Sequence, residues 1–212
     1  MTSAYPRSYL PDAKAHLASC TDYLVNACGI AADRVGYIYA NFPVMRMFER
    51  GDPGVVAGMS GLELGQRIYR TLYGRDSSPE APPRSNGRSV EYWGGWALAH
   101  FQWQWDKSFK WIFARTTMSG ILSKYPVYHE MDITRFLEDF KDELDSVDIE
   151  TNLGRLRHAA GLSQSGLAKL SGIHLRNIQL YEQRVQDINH ASAARIRELA
   201  KCLSCSIEDL ME

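Results

Sequence analysis

Residues 162–182 read LSQSGLAKLSGIHLRNIQLYE, a pattern that predicts two short helices joined by a tight turn. Ser163 is placed to cap the first helix, because a serine hydroxyl accepts a free backbone N–H of the first helical turn. Gly172 stands at the corner, where the chain needs a positive φ. The second helix carries Ile178 and Tyr181 one turn apart on one face. The stretch therefore predicts a helix-turn-helix.

Further amphipathic segments flank these two helices. The first motif helix is predicted from Gln164 to about Leu170, and the second begins at His174. A helix upstream ends at Gly161, and two more helices follow downstream, so residues 151–212 are predicted to fold as five short helices. The apolar positions that define the flanking helices are Leu153, Leu156, Ile196, Leu199, Leu203, Ile207 and Leu210.

With these residues in place, the segment resembles the helix-turn-helix domain of the phage-repressor/Cro (XRE-type) family of bacterial regulators. The resemblance covers residues 151 to about 211. It implies a reader domain that binds double-stranded DNA, usually as a homodimer on two-fold half-sites. The residues that carry it are a small alanine, a corner glycine, two isoleucines and a glutamate: Ala168, Gly172, Ile173, Ile178 and Glu182.

The resemblance also implies which residues contact DNA, since the family docks its second motif helix in the major groove. Arg176 is expected to fork onto a guanine, and Gln179 or Gln183 to pair with an adenine. Gln164 matches the position that braces a phosphate. The full set of expected DNA contacts is Ser163, Gln164, His174, Leu175, Arg176, Asn177, Gln179, Leu180, Gln183 and Arg184.

The segment departs from the family pattern at four positions. Leu175 and Leu180 replace residues that are commonly polar, so they either read thymine methyl groups or form a protein-docking surface. Gly166 replaces a helix-favouring glutamate and weakens its helix by about 1 kcal/mol. Arg184 replaces a glycine and is expected at a phosphate.

Residues 1–145 are predicted to form an all-α bundle, followed by a linker at residues 146–150. Within the bundle, residues 75–88 (RDSSPEAPPRSNGR) contain three prolines and no large apolar side chain, which predicts a loop. Helix caps and apolar spacing predict helices over residues 11–28, 32–41, 43–50, 61–73, 90–105, 109–114 and from 133 past 144.

All five tryptophans fall within residues 90–113. One interpretation is a helix buried on nearly all sides at the centre of the N-terminal core. The other is an aromatic groove for a small ligand, a peptide or a partner helix, in which at least one indole is partly exposed and Trp105 is the candidate for it. The groove residues would be Tyr92, Trp93, Trp96, Trp103 and Trp105.

Composition narrows the class of protein. A hydrophobic fraction of 45% and a charged fraction of 23% are typical of a globular domain. There is neither an apolar run long enough for a bilayer nor a signal-peptide pattern, so we expect a cytoplasmic location without membrane contact.

The C-x-x-C pair Cys202 and Cys205 is expected in the core, and no metal or cofactor is predicted. Residues 151–212 carry eight Lys or Arg and six Asp or Glu, a net charge of +2.

These features predict a sequence-specific transcriptional regulator, with residues 1–145 sensing a ligand, dimerising or holding a protein partner. A repressor is the first expectation. The alternatives are the antitoxin of a toxin–antitoxin pair and a docking module that does not bind DNA. We do not expect an enzyme, since His129 and Glu130 are the one acid–base pair that stands out, and no nucleophile or metal set accompanies them.

Overall fold

A computed structural model of the chain describes residues 3–74, 78–80, 88–147 and 150–212. All regular secondary structure in this part of the chain is helical, with no strand. The predicted all-α class is therefore confirmed. None of the helices described is both long and apolar enough to cross a membrane.

The chain forms two compact units, Met1–Val147 and Asp148–Glu212. Each unit has a hydrophobic cluster of its own. The boundary falls within the segment that was predicted as a linker, residues 146–150, although the last helix of the first unit extends to Ser146.

The N-terminal unit contains ten α-helices among its described residues. They are α1 (Leu10–Asp22), α2 (Ala32–Asn41), α3 (Pro43–Glu49), α4 (Pro53–Val56), α5 (Gly61–Tyr73), α6 (Val90–Trp105), α7 (Phe109–Phe113), α8 (Met118–Leu122), α9 (Tyr125–Tyr128) and α10 (Ile133–Ser146). A π-helical turn, Tyr23–Ala27, continues α1.

Local sequence signals account for the longer helices. Ser60 and Glu63 form a reciprocal capping box at the start of α5, and Gly74 ends that helix with a φ of 59°. Ser89 and Asp132 cap α6 and α10, which begin where the sequence predicts them. Most of the loop predicted over residues 75–88 lies outside the described residues.

Three helices of one turn or slightly more were missed. α4 and α9 each have a proline in the first turn, where its missing N–H costs nothing, and Thr117 caps α8. α9 lies in the stretch between the helices predicted over residues 109–114 and from 133 onward. Helices this short leave no apolar periodicity to detect.

α6 is the central helix of the N-terminal unit. It packs mainly against α1 and also contacts α8, α9 and α10. Leu98 and Phe101 are fully buried along it, and Trp93 is 8% exposed. The core interpretation of the tryptophan-rich segment therefore describes this helix well.

The C-terminal unit contains the five predicted helices. They are α11 (Asn152–Ala159), α12 (Gln164–Ser171), α13 (Leu175–Glu182), α14 (Ala193–Leu203) and α15 (Ile207–Leu210). Leu167, Ile178, Leu199 and Leu210 are fully buried in its core. Ile207 was predicted to pair with Leu210 but is 40% exposed, because it opens a one-turn helix directly after its cap, Ser206.

Candidate nucleic-acid interface

The corner between α12 and α13 is built by caps that the sequence predicts. The hydroxyl of Ser163 accepts the backbone N–H of Gly166 at 3.0 Å. Gly172 ends α12 with a φ of 68°. His174 was predicted as the first residue of α13, but it is the N-cap: its Nδ1 accepts the backbone N–H of Arg176 at 3.3 Å.

α13 divides into a buried face and an outer face. Ile178 is fully buried and Tyr181 is 2% exposed, so this face anchors the helix to the core. The outer face begins at Arg176, which is exposed, and continues to Gln183, also exposed. The remaining expected contacts on this helix are half-buried, namely Leu175, Asn177, Gln179 and Leu180.

Arg176 has no carboxylate within ion-pair distance among the described residues. The same holds for Lys169, Arg195 and Arg197 of this unit. An unpaired guanidinium has all five N–H donors available for an outside acceptor. Arg176, the one Lys or Arg within α13, is therefore available to bind an acidic group outside this unit.

A buried ion pair fixes α13 to α11. The guanidinium of Arg157 donates from Nε and Nη2 to the two carboxylate oxygens of Glu182, at 2.7 Å and 2.8 Å. The two side chains are 8% and 10% exposed. Burial acts to raise the pKa of Glu182, but the hydrogen bonds from Arg157 and Gln164 outweigh it and hold that pKa below its ordinary value.

Gln164 takes part in the same network. Its Nε2 donates to Oε2 of Glu182 at 2.8 Å, which ties the start of α12 to the end of α13. The amide group has two N–H donors, so the second one remains for another acceptor. The position expected to brace a phosphate is therefore held in place by Glu182.

Arg184, expected at a phosphate, follows α13 in a left-handed conformation with a φ of 52°. Glycine adopts this conformation without strain, which explains why the family pattern has a glycine here. The guanidinium donates to Oε2 of Glu212 at 2.9 Å. Within this unit the Arg184 side chain is thus held by an acidic side chain.

The most exposed apolar side chains of this unit are not the two leucines on which the protein-docking alternative depends. That alternative depends on Leu175 and Leu180, which are half-buried. The most exposed large apolar residues of the unit are Val185, at 71%, and Leu170, at 62%. Sequence reasoning did not single out either residue, because Leu170 lies in the last turn of α12 and Val185 lies beyond the end of α13, where periodicity is weak.

The residues predicted for an aromatic groove separate into two groups. Tyr92, Trp93 and Trp96 line a cleft of about 620 Å³, between α6 and the segment that contains α9. Residues of that segment and of the start of α10 form the other wall, with Tyr125 and Tyr128 among them.

Trp103 and Trp105 do not line this cleft. Nε1 of Trp103 donates to the carbonyl oxygen of Tyr5 at 2.7 Å, so this indole holds the N-terminal segment. Trp105, the candidate for a partly exposed indole, is half-buried, and Nζ of Lys141 lies 5.3 Å from its ring centroid.

The remaining residues that the sequence singled out are the pair His129 and Glu130, whose ring nitrogen and carboxylate oxygen lie 3.6 Å apart, and the two cysteines of α14 and its C-terminal turn. Nδ1 of His129 contacts the carbonyl oxygen of Tyr125 at 2.8 Å, and its ring stacks on that tyrosine. Cys202 and Cys205 are free thiols that pack against the C-terminal core. Within the described ranges, no group of His, Cys, Asp and Glu could hold a metal ion.

Comparisons of the chain with protein-family models, with curated proteins and with solved structures found no match. The functional interpretation therefore depends on the residues and geometry described above.

Proposed function

We propose that the C-terminal unit binds double-stranded DNA through α13 and that the chain is a sequence-specific transcriptional regulator. The observation that carries the proposal is Arg176, which is exposed and has no carboxylate partner among the described residues, on the face opposite Ile178. A helix of this kind fits the major groove, and arginine is the side chain that most often reads guanine.

The buried network supports the same proposal. Arg157, Glu182 and Gln164 join α11, α12 and α13. Side chains read base edges only when the recognition helix is held firmly in place, because supporting contacts fix the positions of the side chains that touch the bases. Ser163 and Gln164 at the start of α12 then contact the DNA backbone, as the first motif helix does in this docking mode.

The N-terminal unit is proposed to regulate this reader by binding a ligand or a protein partner, and two copies are proposed to act together. A single unit with a net charge of +2 neutralises few phosphates, so one copy binds weakly by electrostatics alone. An antitoxin that represses its own operon would use the same reader, and the identity of the neighbouring gene separates the two.

The test is a fluorescence-anisotropy titration of the whole protein with its own promoter region and with random DNA of equal length. We expect the promoter fragment to bind at least about a thousandfold more tightly, with two copies per site. Equal affinity for both fragments would exclude sequence-specific DNA binding.

An absence of binding at low salt by folded protein would favour the docking alternative. In that case Leu170 and Val185, the most exposed apolar side chains of the unit, become the first residues to substitute. Changing both to serine then serves to locate the docking surface.

A further inference from the structure

The cleft of the N-terminal unit has a mixed lining that sequence reasoning did not predict. One wall is formed by aromatic rings of α6, and the other by rings of α9. Its volume of about 620 Å³ falls in the range of sites for small ligands. The rings supply apolar faces for a flat molecule, so the body of a ligand is expected to be aromatic.

The aromatic walls are held by contacts behind them. Trp93 meets Tyr125 edge-on, with ring centroids 5.6 Å apart, and meets Phe136 in the same way at 5.4 Å. The hydroxyl of Tyr128 donates to a carboxylate oxygen of Asp139 at 3.0 Å. The cleft is therefore preformed, which lowers the entropic cost of binding.

Two side chains of opposite charge also line the cleft. The guanidinium of Arg88 lies over the ring of Tyr92, 5.1 Å from its centroid. Asp132 is an exposed residue that caps α10, with Oδ1 accepting the backbone N–H of Thr134 at 2.8 Å. Neither Arg88 nor Asp132 has an ion-pair partner among the described residues.

The Asp132 carboxylate is ionised at neutral pH. Hydrogen bonds from the side chain and backbone of Thr134 lower the pKa of Asp132. The nearby imidazole of His100, which packs against Trp96, does not add a charge, because burial lowers its pKa to about 4. Lys14 also lies beside Trp96, with its ammonium 4.7 Å from the centroid of that ring.

We propose that this cleft binds a small zwitterion with an aromatic body, the chemical class of free aromatic amino acids. The carboxylate of the ligand pairs with Arg88, its ammonium pairs with Asp132, and its ring packs between the aromatic rings of α6 and α9. The proposal does not depend on DNA binding by the C-terminal unit, because its test uses no DNA.

The test compares three probes on the whole protein by titration calorimetry: L-phenylalanine, 3-phenylpropanoate and 2-phenylethylamine. They share a ring and differ in which charges they carry. We expect L-phenylalanine to bind about tenfold more tightly than either singly charged probe, since one charge-assisted hydrogen bond is worth that factor. Failure of all three to bind at millimolar concentration, or equal affinity for all three, would overturn the proposal.

Two variants separate the charges. Arg88→Gln should weaken L-phenylalanine and 3-phenylpropanoate about tenfold and leave 2-phenylethylamine unchanged. Asp132→Asn should weaken L-phenylalanine and 2-phenylethylamine about tenfold and leave 3-phenylpropanoate unchanged. It keeps the helix cap, because asparagine caps as well as aspartate does. If neither variant changes the order of affinities, the assigned contacts are wrong.

The control is Arg34→Gln. The guanidinium of Arg34 also lies 5.1 Å from a tyrosine centroid, that of Tyr37, but this pair does not line the cleft. It reproduces the loss of one arginine and one cation–π contact elsewhere in the same unit. Unchanged affinities for all three probes support the proposal, and a loss equal to that of Arg88→Gln overturns it.

Discussion

Arg157 and Glu182 lie 25 residues apart in the chain and form a two-point ion pair in the core of the C-terminal unit. Nη1 of the same guanidinium donates to the carbonyl oxygen of Leu162 at 2.8 Å, directly before the cap of α12. One side chain therefore fixes both helices of the motif.

Removing one partner of this pair is expected to destabilise the C-terminal unit strongly. Arg157→Met should lower its free energy of unfolding by about 3–5 kcal/mol, because the Glu182 carboxylate is left buried and unpaired. The double variant Arg157→Met/Glu182→Leu should lose less than Arg157→Met does, since neither charge then remains.

The measurement is urea unfolding of the whole protein, followed by circular dichroism and by tryptophan fluorescence. All five tryptophans lie in the N-terminal unit, so a loss of helicity without a change in fluorescence reports the C-terminal unit. Lys201→Gln is the control, because it breaks the exposed pair with Glu198 and should cost less than about 1 kcal/mol. Equal losses for Arg157→Met and Lys201→Gln would contradict the prediction.

The same pair predicts a dependence on pH. The pKa of Glu182 is lower in the folded unit than in the unfolded chain, so the stabilisation is complete above about pH 5 and is lost as the pH falls through the folded value. The pKa of Asp209 is also lowered, by hydrogen bonds from Ser206. The difference between wild type and Arg157→Met isolates Glu182, and it should shrink below pH 4. A constant difference down to pH 2 would exclude this linkage.

The packing of Tyr5 against Gly51 predicts that alanine costs more stability at Gly51 than at Gly74. Gly51 and Gly74 both have a positive φ, of 69° and 59°, so alanine should cost about 1–2 kcal/mol at either position. At Gly51 the added Cβ would also lie 2.3 Å from Cβ of the buried Tyr5, whereas at Gly74 it would meet no atom of the described residues within 4 Å.

Gly51→Ala should therefore destabilise the N-terminal unit by about 1–3 kcal/mol more than Gly74→Ala does. Urea unfolding followed by tryptophan fluorescence measures both variants, and the Trp103 indole that holds Tyr5 lies in the affected region. Equal costs at the two positions would mean that Tyr5 does not pack against Gly51.

Sequence reasoning succeeded where the signal is local and failed where it depends on distant residues. The cap at Ser163 and the corner at Gly172 follow from the residue type at one position and its near neighbours, and the structure contains both. Arg157 was not singled out, because its partner is one of many carboxylates and spacing does not identify it. The cleft was predicted only on its α6 side, since its other wall depends on how the segment around Tyr125 folds back.

The left-handed backbone conformation of Arg184 is expected to carry a measurable strain. An L-residue with a φ of 52° pays about 1–2 kcal/mol that glycine does not. Both Arg184→Gly and Arg184→Ala remove the partly exposed pair with Glu212, and only the glycine relieves the strain. The C-terminal unit should thus be about 1 kcal/mol more stable in Arg184→Gly than in Arg184→Ala, by circular dichroism during urea unfolding. Equal stabilities would show that the backbone relaxes around arginine.

Two variants of Arg176 distinguish base recognition by this side chain from simple attraction to phosphates. If Arg176 forks onto a guanine, Arg176→Ala should cost about 1–3 kcal/mol on the promoter site and relax the preference at one base pair. Arg176→Lys keeps the positive charge but has no planar fork, so it should lose most of that base preference while the dependence of affinity on salt stays unchanged.

The control is Arg197→Ala, which removes one exposed cation from α14 instead of α13. It should leave the base preference intact and change promoter and random DNA alike, because any contribution it makes is electrostatic. Anisotropy titrations at several salt concentrations, on promoter fragments substituted one base pair at a time, measure all three variants. If Arg176→Lys keeps the full preference, the proposed fork onto guanine is wrong, because a point charge would then suffice for recognition.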